Sequence, residues 1–369
     1  MSIVSGIDSA AKGPALGWQT VCVETERTGL RVMQSFGAPR PTTNPYIQML
    51  DSALSSTPGI THLRFDRRRA LFGRYDILHF HWPETLLGGS TRTRVMARRL
   101  LFALLLLRLR VSRRIAVVRT VHNLDLPQDV TPWERRMLTR VLDRADFLVL
   151  LNRQTQVDDS KPSAVIPHGD FRHWYESVGA TIERATPDSI AFVGLVRRYK
   201  GVERLIGAFR ESEETEGMMR LRIAGKPTSD GLAAEIHDLA GDDSRIDLDL
   251  RFLSETEFAS AVTSSEGVVL PYRFMHNSGT VLAVLSLERP VLVPRTEVNE
   301  SLAEEVGAGW IRMFDGELDA ADLLAFLPAV RIARQSDAPD LSARTWEAVG
   351  ARHREAYRAA ASFRQRGDR

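Results

Sequence analysis

Two glycine-bounded loops carry the residues best suited to holding an anionic ligand. In Phe192-Val193-Gly194-Leu195-Val196-Arg197-Arg198-Tyr199-Lys200-Gly201 an apolar run ends in glycine, cations follow, and a helix pattern begins near Val202. A phosphate site needs these parts. Glycines let backbone N–H groups approach, a helix N-terminus adds partial positive charge, and Arg and Lys neutralise the remaining oxygens. A solvated basic loop would have the same composition. The second loop, Leu270-Pro271-Tyr272-Arg273-Phe274-Met275-His276-Asn277-Ser278-Gly279-Thr280, shifts the balance toward a site. It too joins an apolar run to a helix pattern, Thr280 to Glu288, which is apolar on nearly every side and so expected to be buried. Ser278 suits the N-cap, and Gly279 lets a ligand reach the first-turn N–H groups.

A second constellation lies in the N-terminal half. The run Ile77 to Phe80, which carries His79, leads into His81-Trp82-Pro83-Glu84, and Ala116 to Thr120 leads into Val121-His122-Asn123. Histidine and glutamate can be tuned toward neutral pKa values and could take a proton from an acceptor hydroxyl. Each also has a structural reading: His79 as a satisfied core histidine, and Pro83-Glu84 as the opening of a helix.

Parallel strands must position both groups. Leu30 to Gln34, Ile77 to Phe80, Ala116 to Thr120 and Phe147 to Leu151 read as buried strands separated by helical patterns. A second series begins at Ile190 to Val193, continues through Leu221 to Ala224, Leu248 to Phe252 and Val268 to Leu270, and ends at Val291 to Val293. In such sheets every strand-to-helix loop emerges at the carboxyl edge, so distant loops share one crevice. The expected organisation is an N-terminal domain over 1–172, a C-terminal domain over 173–338, and a terminal helix over 339–369 that crosses back. Leu341 to Phe363 supplies that helix, and Pro167-His168-Gly169-Asp170 opens the hinge.

FVGLVRRYKG, VVLPYRFMHNSG and ERPVLVP together resemble the donor-binding half of GT-B glycosyltransferases close to glycosyltransferase family 4, over most of residues 190–310. TVHN resembles that family's loop whose histidine sits near the donor sugar. HFHWPE, with NPYIQML upstream, is similar to bacterial exopolysaccharide transferases of the xanthan-type mannosyl group. The resemblance implies an α/β GT-B fold, two Rossmann-like domains whose parallel sheets face an interdomain cleft. It implies transfer of a hexosyl unit, with GDP-mannose as first choice of donor, to a glycan or lipid-linked acceptor. By position, Gly194, Arg197, Lys200 and Gly201 would hold the diphosphate, and Tyr272, His276, Asn277, Ser278, Gly279 and Thr280 the nucleotide and sugar. His122 would contact the sugar, Glu84 or His81 would act as acid or base, and His168 and Gly169 would face the ligand from the hinge. The sequence departs from the pattern in two ways. Leu195 stands where an arginine is usual, which moves that role to Arg197, and the paired glutamates are replaced by His276 and Ala283.

Composition excludes several other classes. With 43% hydrophobic and 26% charged residues the chain is an ordinary folded protein, and a net charge of +2 does not suit nucleic-acid binding. The first twenty residues lack the order of a signal peptide and read as a loose extension. Cys22, the single cysteine, has no intrachain partner, which favours the cytoplasm. The apolar run Leu100 to Leu107 is far shorter than a membrane span. No acidic residue lies between Glu84 and Asp125, where nine arginines do. Arg92 to Arg119 therefore reads either as an amphipathic helix on anionic lipid, at the inner face of the cell membrane, or as a buried helix with a solvated arginine face. Asp247-Leu248-Asp249 matches a metal-binding DXD pattern but sits in an alternating strand, so neither metal nor cofactor is expected. Two alternatives stay open: a sugar-nucleotide epimerase on the same fold, and a non-catalytic sugar-nucleotide-binding subunit of a polysaccharide assembly complex.

Overall fold

A computed structural model describes residues 29–366 apart from 41–42, 124–125, 127–129, 159, 213–218, 274, 276 and 334–337. The expected N-terminal extension, Cys22 and His276 lie outside the described residues. Strands β1 (Leu30–Gln34), β2 (Ile60–Leu63), β3 (Ile77–Phe80), β4 (Ala116–Val121), β5 (Phe147–Leu150) and β6 (Ser163–Val165) form one parallel sheet in the order β2-β1-β3-β4-β5-β6. Strands β7 (Thr186–Val193), β8 (Arg220–Ala224), β9 (Ile246–Asp249), β10 (Ser265–Val269), β11 (Val291–Pro294) and β12 (Ile311–Phe314) form a second, ordered β12-β11-β10-β7-β8-β9 and also parallel. The helices are α1 (Pro45–Ser56), α2 (Arg67–Phe72), α3 (Arg92–Val111), α4 (Pro132–Arg144), α5 (Arg172–Ser177), α6 (Val202–Glu211), α7 (Asp230–Ala240), α8 (Glu255–Thr263), α9 (Gly279–Ser286), α10 (Glu297–Val306), α11 (Ala320–Ala333) and α12 (Trp346–Arg366).

Central strands such as β3, Ile-Leu-His-Phe, are buried along their length because helices cover both sheet faces. Helices α2, α3 and α4 pack on one face of the first sheet. The other face is closed by α1 together with Val349, Ala356, Tyr357 and Ala360 of α12, so α12 returns to pack on the N-terminal core. The crossing of α12 over α1 is tight at Gly350, where a Cβ would stand 2.3 Å from Thr57 Oγ1.

The chain passes between the halves twice, and the two passages are laced together. Asp170 N–H donates to the Arg344 carbonyl at 3.0 Å, Trp346 Nε1 to the Asp170 carbonyl at 2.8 Å, and Arg172 to the Pro339 carbonyl at 2.7 Å. Arg344 also forms a bidentate pair with Glu305 and reaches the His168 carbonyl.

The basic segment divides. Arg92 to Val111 is one helix, but Arg119 belongs to β4, where it is partly buried near Glu84 and away from the surface. The expectation of one basic surface through Arg119 is corrected accordingly: β4 is a central strand and its neighbours cover it. On α3, Phe102, Leu105, Leu106 and Leu109 face inward, while Met96, Leu100, Leu104, Leu107 and Val111 form an outward apolar stripe. Arg99 and Arg108 turn back onto Glu134 and onto the Ala70 and Gly73 carbonyls. No helix of the described residues is long and apolar enough to cross a membrane.

Candidate active site

The basic loop Gly194 to Gly201 follows β7 and packs directly on the loop after β10. Gly201 has φ +68°, and a Cβ there would meet the Pro271 carbonyl oxygen at 2.3 Å, so only glycine permits this approach. Arg273 N–H donates to the Tyr199 carbonyl at 2.9 Å, tying the loops together. Gly194 acts differently from the sequence reading. Its N–H is spent on the Ala224 carbonyl at 3.0 Å, so the residue shapes the turn instead of donating to a ligand.

Lys200 is the chemical centre of this half. It is 8% exposed, with its ammonium 4.9 Å from the centre of the Tyr272 ring and 6.0 Å from that of Phe192. Burial lowers its pKa to about 8, and among the described residues no ion pair compensates its charge. Arg198 is spoken for by Glu235 at 2.8 Å and Glu203 at 3.4 Å, which leaves the exposed Arg197 as the arginine of the loop open to a ligand. Tyr272 is buried beneath, its pKa pushed up to about 12 by desolvation, and its hydroxyl has no hydrogen-bond partner among the described residues. Ser278 caps α9 by accepting from Val281 N–H at 3.3 Å. Asp247 and Asp249 lie on one face of β9 against Arg222, at 3.5 and 3.7 Å, as strand alternation requires.

Across the cleft, the carboxyl edge of the first sheet gathers an aromatic cluster around Tyr46, at the start of α1. Its ring lies 5.3 Å from that of His122, 6.1 Å from His81, 4.6 Å from His168 and 6.0 Å from Trp346. Trp82 stacks on His122 at 3.8 Å. The cluster joins β3, β4, the hinge and α12, and it brings together three residues singled out from the sequence: His81, His122 and His168.

Burial keeps these imidazoles neutral. The pKa of His122 falls to about 3, by desolvation first and then by His168 and Arg119, and that of His168 to about 4. His168 Nδ1–H donates to the Gly169 carbonyl at 2.7 Å, so Nε2 is the bare nitrogen. It stands 3.9 Å from where a Gly279 Cβ would be, across from the first turn of α9. Gly169 itself lies under the Trp346 ring and packs the hinge. A cleft of about 740 Å³ opens here, lined by His168, Asn277, Ser278 and Gly279 among others. Asn152 donates to Asn277 at 2.8 Å and Gln154 to Ser301 at 2.8 Å, linking the two halves across it.

Two of the histidines are enclosed and Glu84 stands outside the cluster. His81 is 3% exposed with both nitrogens engaged, by Gln34 and His122, so it is not placed to touch a substrate as acid or base. His79 is fully buried between Tyr357 and Thr120. Glu84 is in the short 3-10 turn Pro83–Leu86, outside the Tyr46 cluster, its pKa raised by burial and partly offset by Arg119. Tyr46, Trp346, Gln34 and Tyr357 are site residues that sequence reasoning missed.

No family model matches the chain. Two curated relatives from Xanthomonas campestris pv. campestris, each a GDP-mannose:glycolipid 4-β-D-mannosyltransferase, are 39% identical over 336 residues, covering 89% of this chain and 92% of theirs. The chain belongs to this mannosyltransferase family. Among solved structures, the glycosyltransferase AviGT4 of Avilamycin A biosynthesis superposes with a TM-score of 0.55 at 13% identity, over 90% of this chain and 98% of that one. The S. aureus MnaA–UDP structure gives 0.52 at 14%, over 90% and 97%. At such identities these two show the fold, which is GT-B. The chain is thus a GT-B glycosyltransferase with a basic, glycine-bounded loop in one half and a histidine-rich edge in the other. Membership of the family sets aside the epimerase and non-catalytic alternatives.

Proposed function

We propose that the protein transfers a mannosyl unit from GDP-mannose to a sugar hydroxyl of a membrane glycolipid. The observation that carries this reading is Lys200, a buried ammonium without a counter-ion among the described residues, set where two loops converge. An unpaired buried charge is costly, and an anionic ligand at that position would offset the cost. The names of the curated relatives supply GDP-mannose, a glycolipid and a β-linkage. From an α-linked donor, a β-linked product requires inversion: one displacement, with a base for the acceptor proton and cations for the departing diphosphate. Lys200 and Arg197 take the second role and His122 the first, with Glu84 as the other candidate base. Because protein cations neutralise the diphosphate, we expect transfer to persist in chelator.

The outer face of α3 fits the glycolipid. Its apolar stripe is flanked by the exposed Arg92, Arg94 and Arg110, and Phe72 on neighbouring α2 is 82% exposed. We place this face on the anionic inner leaflet of the cell membrane, where each cation near the surface is worth about 1 kcal/mol.

A thermal-shift screen with GDP, UDP and ADP, followed by transfer from labelled GDP-mannose to a lipid extract, tests the reading. GDP should stabilise the fold most and label should enter the lipid fraction. Equal shifts with all three nucleotides, and no labelled lipid, would overturn it.

A further inference from the structure

Behind His122 an unbroken run of hydrogen bonds enters the N-terminal core. His122 Nε2 lies 3.3 Å from His81 Nδ1, and His81 Nε2 lies 3.0 Å from Gln34 Oε1. The Gln34 amide N–H donates to Tyr357 Oη at 3.0 Å, and that hydroxyl is 2.8 Å from His79 Nδ1. His79 Nε2 is in turn 2.8 Å from Thr120 Oγ1.

Gln34 sets the direction of the run. A carbonyl oxygen only accepts, so His81 must carry its proton on Nε2. A neutral imidazole has one such proton, so His81 Nδ1 is a lone pair and needs a donor. His122 Nε2–H is that donor. The nitrogen left bare on His122 is Nδ1.

From this geometry we infer that Gln34 and His81 are positioning residues that hold His122 in its Nε2–H form, leaving Nδ1 to accept the proton of the acceptor hydroxyl. The inference rests on the transfer reading above. In the step, the acceptor oxygen bonds to C1 of the mannosyl unit and the bond from C1 to the diphosphate oxygen breaks. Its electron pair leaves with GDP, and the hydroxyl proton moves to His122 Nδ1. The positive charge that results on His122 is stabilised by the lone pair of His81 and, through it, by the Gln34 carbonyl.

The groups facing this pair are consistent with a neutral resting state. His168, Arg119, Tyr46 and Trp82 surround His122, while His79, His353, Phe36 and Tyr46 surround His81. Arg119 is the charged member, and it interacts with Glu84. Burial holds His79 and His81 well below the usual histidine range.

The tautomers can be read without any activity. In full-length protein carrying 15N-histidine, with His122→Gln used for assignment, both His81 and His122 should show protonated Nε2 and bare Nδ1. A proton on Nδ1 of either would mean that the run has the opposite polarity and would overturn the inference. Kinetics supply a second readout. Gln34→Glu puts a carboxylate behind His81, which should raise the acid limb of the kcat/KM profile by about one pH unit. Gln34→Met should lower kcat by about 10²-fold with little change in KM for GDP-mannose. An acid limb unmoved by Gln34→Glu would count against the inference. Absence of any transfer by the unaltered enzyme would instead sink the proposed function, and the tautomer result would still stand by itself.

Discussion

Lys200 owes its significance to what does not surround it. Between two aromatic rings and beneath the loop its pKa drops to about 8, so above that pH the empty site loses its charge. Diphosphate binding needs the ammonium; the affinity for GDP should therefore hold below pH 8 and fall as pH rises through it, by at most about tenfold per unit. Titration calorimetry across pH 7 to 9.5 measures this, and Lys200→Arg, which stays charged, should flatten the curve. Lys200→Ala should reduce turnover by about 10² to 10³ with the thermal transition preserved, since single donors to a developing anion are worth about 3 kcal/mol. An unchanged turnover would remove the residue from the mechanism. At this scale the parts of the proposed donor site were legible in the sequence, because FVGLVRRYKG keeps cations, glycines and strand end within one stretch. What stayed hidden was the division of labour. Arg198 and Arg197 look alike in sequence, and only the positions of Glu203 and Glu235 remove the first. Tyr46 and Trp346 were illegible for a different reason: they meet His122 and His168 through tertiary packing alone.

At the level of elements, the strands read in place are those covered on both sides, and those missed or misplaced lie at a sheet edge: β9, expected at Leu248 to Phe252, runs Ile246–Asp249 at one edge of the second sheet. β2, Ile-Thr-His-Leu, and β6, three residues long, close the two edges of the first sheet, and β12 closes one edge of the second. An edge strand buries less of itself, so its polar residues break the apolar run by which a strand is recognised. Helix α3 was ambiguous for the opposite reason. It is apolar on two faces, and sequence alone does not reveal that the sheet claims only Phe102, Leu105, Leu106 and Leu109. The other face makes a prediction. Leu100→Glu combined with Leu107→Glu alters residues 63% and 56% exposed, so it should leave the melting temperature nearly unchanged. Co-sedimentation with phosphatidylglycerol vesicles should fall sharply, and nucleotide affinity should remain. Equal sedimentation of the double variant would mean that α3 does not meet the membrane.

The whole molecule depends on its last helix. Tyr357, fully buried, hydrogen-bonds Gln34 and His79 from a position 323 and 278 residues further along the chain, and Ala356 and Ala360 pack beside it. Truncation before Trp346 should therefore expose one face of the first sheet, and calorimetry should show loss or a large downward shift of a transition while the second half still melts. A single transition at the original temperature would refute that dependence.

The same helix has a kinematic consequence. Two bodies joined by one strand of chain can swing and twist in any direction, as on a tether. Here two strands run side by side, fastened by Asp170 to Arg344 and by Trp346 to Asp170, so the connection behaves as a door on two pins. Rotation about the line through both pins stays cheap, whereas twist must break the fastening. The motion this fastening favours is a single arc, which would carry Gly279 toward or away from His168 and would have to part the Asn152–Asn277 and Gln154–Ser301 bonds that span the cleft.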